Sequence, residues 1–258
     1  MKDEDGFVRD ISAIDYHTRV TIQHPCNLEA CKAIKGSTNA RICVGKAGSS
    51  YRTESYLRYL SDHAAAMDSV WKEVDDTIFD PDGFVKVETC AKSKEAYIKR
   101  PDLGRIFSSA TMDFLKKNCR HDIDVQILIV DGLSAYAIEE NALDVYEVML
   151  DGLKARGYSL GTPIYIRHGR VATMDSISEA LHAKVIVQLI GERPGLITNQ
   201  SMSCYMAYEA STKKPESQRT VISNIYAGGT PAIEAAAQIV DWCGVLMREK
   251  KSGAALKL

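Results

Sequence analysis

Three short stretches combine residue types and spacing that could contact a ligand, and each ends or follows an apolar run. They are residues 131–134 (DGLS) after the run VQILIV, residues 191–196 (GERPGL) after a run ending at Ile190, and ISNI at 222–225, which leads into Gly228, Gly229, Thr230 and Pro231. Loops at the carboxyl ends of sheet strands gather ligands because they converge there and helix N-termini offer free N–H groups. In DGLS, Gly132 allows a tight turn and Ser134 can cap the next helix, so a plain strand-to-helix turn is the simplest reading. In GERPGL, two glycines and a proline constrain the backbone and present Glu192 and Arg193, both ionised. That pair either serves the fold, by pairing internally or with a neighbouring helix end, or it holds a ligand. In the third stretch Thr230 can cap and Pro231 can open a helix, with an anion or amide site as the alternative.

Other motifs fail on inspection. Residues 45–50 (GKAGSS) suggest a phosphate loop but lack the GK[ST] ending and precede no helix until Thr53. There is no GxGxxG, and Ser134 in GLSAY lacks the second glycine of a nucleophile elbow. His17, His24, His63, His121, His168 and His182 are scattered, without HExxH or an i, i+4 pair for zinc, and read as ordinary surface or core histidines. Sequence alone therefore supports neither a hydrolase nor a metalloenzyme.

These loops must be positioned by regular elements, and the apolar periodicity supplies them. Residues 1–40 show no sustained period and read as an arm. Tyr56, Leu57, Leu60, Ala64, Met67, Val70 and Trp71 recur at helical spacing, with Thr53 as a cap. Residues 84–87 and 96–98 suggest short strands, and a helix follows to about Asn118. The continuously apolar VQILIV predicts a strand covered on both faces. A helix from about Ala135 to Arg156, stopped by Gly157, leads to a strand at 163–167, a short helix at 176–181 and the strand 184–190. Strands at 202–208 and 220–226 and a closing helix at 231–248 complete the pattern. The alternation predicts an α/β fold with a parallel sheet and helices on its faces.

Composition narrows the classes. The 258 residues, 45% hydrophobic and 26% charged, can bury a sizeable core, predicting one large domain and a small N-terminal one. A net charge of −2 gives no electrostatic reason to bind nucleic acid or an anionic membrane. The longest apolar runs fall far short of the roughly 20 residues needed to span a bilayer. The seven cysteines, an odd number without a CxxC pair, read as reduced cytoplasmic thiols.

Seven collinear segments together resemble the light subunit of ethanolamine ammonia-lyase. They are residues 40–70 (ARICVGKAGSSYRTESYLRYLSDHAAAMDSV), RPDLGR at 100–105, DVQILIVDGLS, GTPIYIRHGRV at 161–171, GERPGL, SMSCY at 201–205 and RTVISNIYAGGTP at 219–231. The resemblance implies a Rossmann-like domain of mostly parallel sheet over residues 121–258, preceded by an arm and a smaller, mainly helical segment over residues 1–120. It implies a hetero-oligomer with a large subunit that carries the substrate and the radical chemistry, so no catalytic residue is expected here. The cofactor, adenosylcobalamin, would be shared between the subunits, inside a bacterial microcompartment in the cytoplasm. The family keeps dimethylbenzimidazole on cobalt, which accounts for a missing DxHxxG signature: Asp15, Tyr16 and His17 match only its start, and Val20 replaces its glycine. The family's cofactor contacts fall on Val171 in HGRV, Glu192 in GERPGL and Val221. Relatives can carry cysteine at the last position, so here only a backbone or apolar contact is implied.

Overall fold

The first helix begins where a cap permits it. Asn27 accepts the amide of Ala30 at 2.9 Å and starts α1 (Leu28–Gly36), with Glu29 in its first turn and Lys35 in its last. This corrects the expectation of an arm over residues 1–40, because the cap and the end charges supply a start and stop that apolar periodicity did not reveal. The computed structural model describes residues 14, 16 and 19–256; Asp15 and His17 lie outside them. Two units are distinguished: the residues up to Asp68 with Gly195–Thr198, and Ser69–Pro194 with Asn199–Leu258.

In the first unit, β1 (Lys46–Ala47) pairs antiparallel with β2 (Ser50–Tyr51), and Gly48 turns between them at φ +63°. The GKAGSS stretch is thus a hairpin. Helix α2 (Thr53–Trp71) follows, most of it in this unit. Arg58 pairs with Asp62 one turn along it at 2.8 Å, and Arg41 bridges the same carboxylate and the carbonyl of Leu196.

The second unit is built on a six-stranded sheet. Its strands are β3 (Val85–Glu88), β4 (Val125–Val130), β5 (Ile164–Arg167), β6 (Val185–Gly191), β7 (Met202–Tyr208) and β8 (Thr220–Ile225), in the spatial order β3-β5-β4-β6-β7-β8. The first four in that order are mutually parallel, while β7 runs antiparallel to both β6 and β8. Every residue of β4 and β6 is buried, Gln126 and Gln188 included, as expected of apolar strands covered on both faces. Burying each Val, Leu or Ile there contributes roughly 1.5–3 kcal/mol.

Between β3 and β4 lie α3 (Lys94–Lys99) and α4 (Ser109–Asn118). The expected strand at 96–98 is therefore a helix. Ser93 accepts the amide of Ala96 and Lys99 pairs with Glu95 one turn back, so cap and spacing outweigh the β preference of Tyr97 and Ile98. Helix α5 (Ala135–Ala155) links β4 to β5, α6 (Thr173–Leu181) links β5 to β6, and α7 (Ala232–Glu249) closes the chain. Val145, Met149, Ile239 and Cys243 of α5 and α7 pack on one sheet face, against Ile127, Ile129, Val187 and Leu189. Leu115, Met174, Ile177 and Leu181 of α4 and α6 pack on the other, against Leu128, Ile166, Ile186 and Ile190.

Candidate functional site

Because β3, β5, β4 and β6 are parallel, Glu88, Arg167, Val130 and Gly191 end along one edge, where β7 also starts and β8 ends. The crevice between β4 and β6 is closed by backbone. Gly132 sits at φ +59°, a Cβ on it would meet Gly191 O at 2.2 Å, and a Cβ on Gly191 would meet Ser134 O at 2.4 Å. Leu133 N donates across the same gap to Gly191 O at 3.1 Å. Ser134 caps α5 through the amide of Ala137 and also meets Ser69 Oγ at 2.9 Å. DGLS thus performs the structural role its chemistry suggested.

The third stretch also closes on itself. Thr230 N donates to Asn224 O, Gly229 N to Tyr226 O and Tyr226 N to Thr230 O, so these amides are not free for an anion. The cap position of α7 is Pro231, not Thr230, and it makes no side-chain cap bond. The expected Thr230 cap is corrected because its backbone is held in the bridge to Ile225.

Asp131, at the end of β4, organises the loop after β5. Its carboxylate accepts the amides of His168 at 2.7 Å and Gly169 at 3.1 Å. His168 adopts φ +54°, its Nδ1 lies 2.9 Å from Ala91 O, and its Nε2 lies 3.1 Å from both oxygens of Glu73. Tyr97 stacks on this ring with centroids 5.7 Å apart and donates to Gly169 O at 2.9 Å. Burial pushes the Asp131 carboxyl up, while the Lys94 ammonium and the two amides pull it down. Ligand atoms of Glu73, Asp131 and His168 lie within 4.8 Å of one another, a spacing compatible with a metal ion. The nearly buried Lys94, however, already brings positive charge to Asp131. The cluster's evident effect is to fix the loop that carries Val171.

The three residues carried over from the family gather on one side of the sheet, Val171 from the loop between β5 and α6. Leu128, Gln188, Tyr205 and Val221 lie side by side across β4, β6, β7 and β8. Paired residues project to the same face, so Val221 belongs to the face that α4 and α6 pack against. Val171 packs against that apolar cluster, and its carbonyl accepts Gln188 Nε2 at 3.3 Å. Glu192, two residues beyond Ile190, continues on the same face. Its Oε1 accepts Ser203 Oγ at 2.5 Å and Asn224 N at 2.9 Å, and Ser203 lies 3.2 Å from Ser223 Oγ.

Toward β8 this face is open: Val221 is 42% exposed, Ser223 and Asn224 are exposed, and Tyr205, Glu192 and Val171 are half-buried. Arg219, just before β8, is buried with Asp175 of α6 at 2.6 Å, which ties the Val221 strand to the helix following Val171. Burial raises the Asp175 carboxyl and Arg219 opposes that shift. Among the described residues Glu192 forms no ion pair with Arg193 and its Oε2 has no hydrogen bond, so an internal Glu192–Arg193 pair is not its role. Sequence reading missed Ser203 and Tyr205, whose alternation along β7 with buried Cys204 was the available signal, and missed Asp131 and His168 as partners.

The chain's comparisons with known proteins agree with one another. Residues 28–257 match the family model described as Ethanolamine ammonia-lyase light chain (EutC). The chain is similar to the ethanolamine ammonia-lyase small subunit of Clostridium acetobutylicum, 55% identical over 230 residues, covering 89% of this chain and 95% of that protein. It is also similar to the small subunits of Clostridium tetani, 45% identical over 99% of this chain and 87% of that protein, and Clostridium perfringens, 42% identical over 99% and 86%.

Proposed function

The chain belongs to the ethanolamine ammonia-lyase light-chain family, and from that premise we propose that it contributes one side of an adenosylcobalamin site shared with a larger subunit. The observation that carries this reading is that Glu192, just past β6, and Val221 of β8 lie on a partly uncovered sheet face against whose apolar cluster the loop residue Val171 packs. The residues suit the group. A corrin presents amides around its rim and methyl groups on its ring; Glu192 Oε2 is an acceptor for the former, and the two valines offer apolar surface to the latter. With 42% of Val221 exposed, an apolar side-chain contact there is sterically open.

When bound, adenosylcobalamin supplies the radical chemistry that converts ethanolamine to acetaldehyde and ammonia. This chain's residues bind, orient and shield. Ser203 and the Asn224 amide hold one oxygen of Glu192 and leave the other to accept from the cofactor, while Asp131 and His168 fix the loop that ends in Val171. We read the parallel strands β3, β5, β4 and β6, with helices on both faces, as Rossmann-like. Its crevice is filled by Gly132 and Gly191, so the cofactor surface in this reading is the face toward β8.

Half a site needs a partner to complete it, and the relatives' designation as small subunits supports a hetero-oligomer with a larger subunit. The test is reconstitution. The purified chain should release no ammonia from ethanolamine, and mixing it with the larger subunit and adenosylcobalamin should restore release together with a protein-bound cobalamin spectrum. Turnover by this chain alone, or a larger subunit that is fully loaded and active without it, overturns the proposal.

A further inference from the structure

The first unit contains a group of thiols that the cofactor reading does not use. Cys26 precedes the cap residue Asn27, Cys31 lies on α1, and Cys43 lies in the segment leading to β1. Cys43 is held from both sides. The nearly buried Lys35 donates through Nζ to Ile42 O at 3.1 Å, and Thr21 N donates to Cys43 O at 3.2 Å. The backbone at Cys43 takes φ +56°, a region uncommon for a residue with a Cβ. In this conformation its Sγ reaches α1 and donates to the backbone carbonyl of Cys31 itself at 3.6 Å, which brings the two cysteines side by side. Both are half-buried and Cys26 is exposed; in the second unit Cys119, Cys204 and Cys243 are buried and Cys90 is half-buried.

We propose that Cys31 and Cys43 form a thiol-modification site, which hydrogen peroxide oxidises to an intramolecular disulfide joining α1 to the segment before β1. One thiolate attacks a peroxide oxygen; the O–O bond breaks, hydroxide leaves and takes up a proton as water, and a sulfenic acid remains. The second thiol attacks that sulfur, its proton leaves with the hydroxyl as a second water, and the S–S bond forms. Two thiols lose two electrons and two protons in total, and the peroxide is reduced to two waters. Burial, and then the neighbouring Cys43 and Cys26 thiols, hold the Cys31 thiol above its ordinary range. The thiolate is the reacting species, so oxidation should accelerate as pH rises above neutral.

The experiment treats the full chain with hydrogen peroxide at neutral and mildly alkaline pH, alkylates the remaining thiols, and maps the products by mass spectrometry. The expected product has lost two hydrogen masses, contains a linked Cys31–Cys43 peptide pair and leaves Cys26 alkylated. Cys26→Ser should still form the link. Cys43→Ser should abolish it and leave a sulfenic acid on Cys31 that a dimedone probe captures. A link to Cys26, a disulfide between two chains, or complete alkylation of both Cys31 and Cys43 after peroxide treatment overturns the proposal. So does over-oxidation of Cys31 without a link.

Discussion

Asn224 donates its main-chain amide to Glu192 Oε1 at 2.9 Å, joining the end of β8 to the loop after β6 across β7. Ser203, on the intervening strand, donates to the same oxygen. A carboxylate restrained in this way loses less side-chain freedom when it meets a ligand than a free glutamate would. Ser203→Ala should therefore weaken cobalamin binding without abolishing it. A hydrogen bond of about 1 kcal/mol corresponds to roughly fivefold in Kd. Titration of the assembled enzyme checks this, with thermal unfolding as a control for folding.

Val221 is exposed in the isolated chain, so changing it should scarcely affect this chain's own stability. Val221→Asp should stay within about 0.5 kcal/mol of the parent in urea unfolding. In the assembled enzyme the new carboxylate would be desolvated against apolar ring atoms and should cost tenfold or more in cobalamin affinity, at roughly 1.4 kcal/mol per decade. Equal losses of folding stability and of binding would indicate a merely structural valine.

Gly191 tests the closed crevice. A Cβ there would lie 2.4 Å from Ser134 O and 2.6 Å from Asp131 O, both backbone atoms that cannot step aside cheaply. Gly191→Ala should destabilise the second unit by about 1–3 kcal/mol, as overpacking does. Gly195→Ala, whose added Cβ would approach only Thr198 O at 3.8 Å, is the contrasting control. Urea midpoints of the two variants supply the comparison.

Asp124 tests the opposite end of the sheet. Burial acts to raise its carboxyl, but the Lys184 ammonium and the amide and hydroxyl of Ser159 hold it below the usual range. A carboxyl depressed in the folded state contributes stability above its unfolded pKa of about 3.9, and that contribution disappears as pH falls through the lower folded value. Asp124→Asn should flatten the acid limb of the stability profile below about pH 4 while leaving cobalamin affinity unchanged. Unfolding midpoints measured from pH 2 to 7 show whether it does.

Much of the fold was legible because its signals are local. VQILIV could be covered only on two faces, and the apolar spacing in α5 with the left-handed Gly157 after it set that helix's length. Residues 96–98 misled because the β preference of Tyr97 and Ile98 is short-range evidence, while the deciding cap lies at Ser93. The site was less legible. Asp131 and His168 meet only because β4 and β5 are neighbours in the sheet, and no spacing in the chain announces it. Val171, Glu192 and Val221 came from the family resemblance; their gathering on one side of the sheet depends on the register that sets Tyr205 between Gln188 and Val221.

The central claim is that Glu192 holds the cofactor from this chain's side. It is tested most directly by the Kd for cobalamin of the assembled enzyme carrying Glu192→Ala, measured beside the parent under identical conditions. A charge-assisted hydrogen bond of roughly 1.5–3 kcal/mol predicts a Kd raised about tenfold or more, with the subunits still assembled. An unchanged Kd in an intact assembly would contradict the account.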